Sequence, residues 1–137
     1  MARFFQYKSP DDLLAAAAEL GQPLELAPTA APLFEPFRVG DRTVGNRLVV
    51  QPMEGCDGTA DGAPDELTFR RYRRFGAGGA KLIWGEATAV SAEARANTRQ
   101  LWLAPHTAPA IERMLAECRS AHREACGDDR DLLLGLQ

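Results

Sequence analysis

The chain has 137 residues, 45% of them hydrophobic, with a formal net charge of −3 and a pI near 5.4. That size and apolar content suit one globular domain with a real core, so the chain need not be disordered. Arginines scattered among acids leave no basic footprint for nucleic acid, and the longest apolar segment, Leu13 to Leu20, falls far short of the roughly 20 residues that span a bilayer.

The opening MARFFQYKSPDD has no apolar core followed by a small-residue cleavage site, so the expected location is the cytoplasm. In SPDDLLAAAAELG, Ser9 is placed to cap a helix and Pro10 to occupy its first position. Asp11 and Asp12 fall in the first turn, and Gly21 stops the helix. GQPLELAPTAAPLFEP then carries Pro23, Pro28, Pro32 and Pro36, which predicts an extended connector anchored by Leu33 and Phe34. The expected division is a helix and connector over 1–32 and an α/β domain over 33–137.

FRVGDRTVGNRLVVQP reads as a β-hairpin from Phe37 to Val44 around Gly40-Asp41, with a second tight turn at Gly45-Asn46. The unbroken apolar triplet Leu48-Val49-Val50 predicts a strand covered on both faces, as in a parallel sheet. It breaks off at Gln51-Pro52-Met53 into EGCDGTADGAP. Such a composition suits either an ordinary turn or the mouth of a ligand site at the strand's carboxyl end.

APDELTFRRYRRFGAGG predicts a helix from about Asp65 to Gly76, with Leu67, Phe69, Tyr72 and Phe75 inward and Arg70, Arg71, Arg73 and Arg74 on a solvated face. AKLIWGEATAV predicts a second strand, Lys81 to Trp84, ending in the small-residue turn Gly85-Glu86-Ala87. SAEARANTRQLWLAP leads to a helix from about Ala108 to Ala125, with Ile111, Met114, Leu115 and Cys118 inward, and DDRDLLLGLQ supplies a third strand. The order βαβαβ at this spacing means parallel strands with right-handed crossovers, in an open doubly wound sheet or a β/α barrel. No GxGxxG follows the first strand, which counts against a dinucleotide fold. Cys56, Cys118 and Cys126 fit no zinc or disulfide spacing and read as bystander thiols, and His122 reads as a packing or surface residue.

Taken together, LFEPFRVGDRTVGNRLVVQPM, ELTFRRYRRFGAGGAKLIWGEATAV with ARAN after it, and LLLGLQ resemble the N-terminal part of the Old Yellow Enzyme family, over about Pro32 to Gln137. These are FMN-dependent NADH:flavin oxidoreductases. The resemblance implies the N-terminal portion of a (β/α)8 TIM barrel with a hairpin floor, truncated after the third strand, with FMN lying across the carboxyl ends of the strands. It implies NADH or NADPH as reductant and an electron-poor acceptor, such as an activated alkene, as substrate, with hydride passing through flavin N5.

By position, Pro52 and Met53 resemble residues whose backbone borders the isoalloxazine. Glu54 stands where many members have Thr or Cys near flavin O4, and a carboxylate there opposes the negative charge that the ring gains on reduction. Cys56 is out of register with the family cysteine. Ala87 resembles the small residue that lets backbone approach the flavin, and Gln137 the glutamine whose carboxamide pairs with the pyrimidine edge. The family's catalytic residues correspond to neither His106 nor His122, so none is assigned. A three-stranded piece leaves an open edge and apolar faces. The expected partner is therefore the remaining C-terminal barrel portion, and the isolated chain is expected to hold no stoichiometric FMN and to oxidise no NAD(P)H. Two alternatives stand beside this: a non-catalytic α/β scaffold or remnant fragment of that barrel, and a metal-assisted barrel enzyme using Glu54 and Glu86.

Overall fold

A computed structural model describes residues 6–137, so the first five residues of the expected N-terminal segment lie outside the described residues. Contacts divide the chain into Met1–Ala30 and Ala31–Gln137. The first unit holds helix α1, Pro10–Glu19, begun by the expected cap: the Asp12 amide donates to Ser9 Oγ at 3.2 Å and the Ser9 amide to Asp12 Oδ2 at 3.1 Å. This reciprocal pair satisfies donors that the first helical turn leaves without partners.

The second unit opens on a short 3₁₀ turn, Ala31–Phe34. Leu33 and Phe34 do not anchor it, being 47% and 61% exposed; the Arg47 amide fastens it instead, donating to the Leu33 carbonyl at 2.9 Å. Strands β1, Phe37–Val39, and β2, Arg42–Val44, form the antiparallel hairpin, turning through Gly40 at φ 60°. Gly45-Asn46 is not a second hairpin turn. Its two residues anchor the chain as it leaves the hairpin: the Gly45 amide donates to the Asp131 carbonyl, and the Asn46 side chain is buried.

Strands β3, Val49–Val50, β4, Leu82–Gly85, and β5, Leu133–Leu136, form a parallel sheet in the order β3-β4-β5. They alternate with α2, Glu66–Ala77, and α3, Ala108–Cys126, giving the expected βαβαβ order. The core joins Ile83 of the central strand to Phe69 and Tyr72 of α2 and to Ile111, Met114 and Cys118 of α3, with Val50, Leu134 and Leu136 against it. The two helices touch closely at Gly76, where an added Cβ would sit 2.1 Å from the Cys118 carbonyl oxygen. His122, fully buried, bonds the Gly76 carbonyl through Nδ1 at 2.9 Å, which bears out its packing role.

Two expectations of burial fail. Leu67 is 50% exposed, because the inward face of α2 is Thr68, Phe69, Tyr72 and Gly76. The strands are covered on one face, not two: Val49 and Trp84 are 39% and 41% exposed on the side opposite the helices. On that side the Trp84 indole lies over Gly135, whose missing Cβ would stand 2.9 Å from the ring.

Candidate functional site

At the carboxyl ends of β4 and β5, backbone bonds bring two of the sequence-predicted residues, Ala87 and Gln137, together. The Gln137 amide donates to the Gly85 carbonyl at 3.2 Å, and the Thr88 amide returns to the Gln137 carbonyl at 2.9 Å. Gln137 therefore sits beside Ala87, with its carboxamide on the exposed surface. The Gly55 amide donates to Glu86 Oε2 at 3.2 Å, which draws the segment after β3 to the end of β4. Pro52 is partly buried there and Met53 is 76% exposed.

Beneath this surface lies an ion cluster that helical spacing does not reveal. Arg71 is not on a solvated face. Its guanidinium grips Asp57 through Nε and Nη2, at 3.1 and 2.8 Å, and Nη2 also donates to Glu86 Oε1 at 2.8 Å. The Glu86 side chain is 2% exposed, so the small-residue turn carries a buried charge that needs this partner. Thr68 Oγ1 donates to Asp57 Oδ1 at 2.8 Å, and the Glu86 amide to Tyr72 Oη at 3.0 Å. Burial tends to raise the Asp57 carboxyl, but the bonds from Arg71 and Thr68 outweigh it and hold the group below its ordinary value. Burial pushes the Tyr72 phenol up, and the neighbouring Glu86 charge adds to that. Arg71 Nη1 is buried without an acceptor, on a guanidinium packed 5.4 and 5.8 Å from the Tyr72 and Phe75 ring centres.

Glu54 is held differently. Asn97 Nδ2 donates to its Oε2 at 2.9 Å and Gln100 Nε2 to its Oε1 at 3.2 Å. Gln100, only 5% exposed, also donates through Nε2 to the Ala87 carbonyl at 3.1 Å. It thus bridges two residues that the sequence placed separately in the site. Arg95 secures this segment, donating to the carbonyls of Ala60 at 2.9 Å, Gln100 at 3.1 Å and Thr98. Cys56, at φ 48°, lies 3.4 Å from Asn97 Nδ2.

Sequence reasoning missed Arg71, Asp57, Asn97 and Gln100. The ARANTRQ run, noticed only for its resemblance, was the available signal for the last two. As for metal, Glu86 already faces an arginine, and among the described residues no group of three or more His, Cys, Asp or Glu could hold an ion. A flavin fits the donor set in part. The Met53 surface suits a planar ring, and the Gln137 carboxamide offers a donor and an acceptor to an imide-like edge. Glu54 only accepts, so it can meet a donor of the ligand but not a carbonyl.

No protein-family model and no curated protein matches the chain. Solved structures do. The Old Yellow Enzyme homologue of Zymomonas mobilis is 28% identical with a TM-score of 0.56, over 76% of this chain and 27% of its own. Morphinone reductase, solved in complex with tetrahydroNAD, is 25% identical with a TM-score of 0.52, over 69% and 24%. Old Yellow Enzyme from a Pichia species shares the fold at 22% identity and a TM-score of 0.62, over 69% and 25%. The chain spans about a quarter of the length of these structures. The resemblance read in the sequence therefore extends to the structure: an α/β fold that matches part of the Old Yellow Enzyme barrel.

Proposed function

We propose that this chain supplies the N-terminal part of an FMN-dependent NAD(P)H oxidoreductase of the ene-reductase kind, and that its strand ends form one wall of the flavin site. One observation carries the reading. In a chain whose solved neighbours are Old Yellow Enzymes, the bond from the Thr88 amide to the Gln137 main-chain carbonyl holds Gln137 beside Ala87 at the carboxyl ends of parallel strands. Ligands of β/α folds bind at that end of the strands.

When bound, FMN supplies two-electron transfer from a nicotinamide to an electron-poor acceptor such as an activated alkene. The chain's own residues bind and orient. Gln137 meets the pyrimidine edge, Ala87 admits the ring to the backbone, and Pro52 and Met53 border it. Arg71 and Glu86 hold the loop after β3 in place through the Gly55 amide. None of these residues is assigned a proton-transfer role. The exposed Val49 and Trp84 face is the surface for a C-terminal barrel portion, and without that portion the chain oxidises no NAD(P)H. No helix among the described residues is long and apolar enough to cross a membrane, and we place the protein in the cytoplasm.

The test is a titration of the purified chain with FMN, following flavin fluorescence alongside far-UV circular dichroism. Saturable but weak quenching by a folded chain is the expected result. A folded spectrum with no quenching would overturn the flavin reading.

A further inference from the structure

Three carboxylates stand near the ends of β3 and β4, and they are neutralised unequally. Asp57 and Glu86 share the Arg71 guanidinium. Glu54 takes part in none of the ion pairs among the described residues; its partners are two carboxamides. The orientation of both amides is dictated by backbone donors. The Ala96 amide, which can only donate, reaches Gln100 Oε1 at 2.6 Å and so turns Gln100 Nε2 toward Glu54. The Arg99 amide likewise reaches Asn97 Oδ1 at 2.9 Å and turns Asn97 Nδ2 toward Glu54. Both Glu54 oxygens therefore accept, which is the bonding pattern of a carboxylate.

We propose that Gln100, with Asn97, is a positioning residue that fixes the Glu54 carboxylate as an uncompensated negative charge between the ends of β3 and β4, so that this half-site holds oxidised FMN more tightly than reduced FMN. The inference rests on the flavin reading above. Its physical basis is that reduction places negative charge on the ring, whereas amide donors orient Glu54 without cancelling its charge. A carboxylate loose in water would be screened and mobile. One held by a side chain that is 5% exposed, and tied to the Ala87 carbonyl as well, keeps its direction.

Equilibrium dialysis of the chain against FMN, and anaerobically against FMN already reduced with dithionite, measures the preference directly. The wild-type chain should favour the oxidised form by about tenfold or more, the scale of a single charge interaction near a protein surface. Glu54→Gln should remove most of that preference and Gln100→Leu part of it, while Glu112→Gln, the same charge change on exposed α3, should leave it intact. An unchanged preference in Glu54→Gln overturns the proposal but spares the flavin reading. Failure of the wild-type chain to bind either form overturns both. A ligand-free arm tests the clamp alone: the side-chain amide NMR signals of Gln100 and Asn97 should move in Glu54→Gln, and signals that stay in place would overturn the positioning role.

Discussion

The two ends of the parallel sheet are both built from polar side chains, yet they do opposite things. At the amino end, Asn46 donates to the Gly79 carbonyl at 2.9 Å and accepts the amides of Leu48 and Lys81 at 3.1 Å each. Lys81 pairs with Asp131 at 2.7 Å, and Gly45, where an added Cβ would stand 1.8 Å from Asp131 Oδ2, lets the hairpin close against it. Each charge there has its counterpart, and the network sets where the hairpin meets β4 and β5. At the carboxyl end, Arg71 serves two carboxylates, Glu54 has amides alone, and Gln137 and Met53 face outward. A network closed on itself determines register, whereas one left unbalanced and exposed can act on a ligand.

The largest expected effect sharpens that contrast at the carboxyl end. Arg71→Met leaves Glu86 buried without its cation, and urea unfolding should show a loss of about 3–5 kcal/mol. At the amino end, Asn46→Ala strands two amides and a carbonyl without charge, and the same measurement should show a smaller loss of about 2 kcal/mol. FMN affinity separates the two variants further: Arg71→Met should weaken it through the Gly55 loop, while Asn46→Ala should not, as long as the variant is folded. Equal effects on affinity would erase the distinction between the ends.

A third effect is smaller and depends on pH. Asp57 is held below its ordinary value, so the stability it adds is present above the usual carboxylate value of about 3.9 and is lost as pH falls below that through the folded-state value. The urea midpoint of the wild type should drop in that acid window, and the drop should shrink in Arg71→Met. Arg74→Ala should change stability least, by no more than about 0.5 kcal/mol, because the residue is exposed. A large effect there would mean that a second arginine of the helix face read as solvated carries a structural contact.

Much of the scaffold was legible because its signals are local. The Ser9 cap lies within a turn of Pro10, the α2 start is marked by Asp65 bonding the Glu66 amide at 2.7 Å, and the apolar strands are punctuated by glycine and proline. Ala87 and Gln137 follow β4 and β5 in the sequence, and backbone bonds set them side by side in the structure. Leu67 was misread, since one helical stripe can be drawn through either Leu67 or Thr68 until the neighbouring helix chooses.

The sequence by itself determined the order of elements and the ends of the strands, because hydrophobic period and capping chemistry act over a few residues. Only the tertiary structure decided which of the four arginines of α2 turns inward onto buried carboxylate and which amides hold Glu54. Arg71 meets Asp57 and Glu86 across 14 and 15 residues, and Gln100 meets Glu54 across 46. The four arginines share one helix and one side-chain chemistry, so nothing local sets Arg71 apart. What distinguishes it is that parallel strands place the ends of β3 and β4 next to each other, where a buried carboxylate requires a cation.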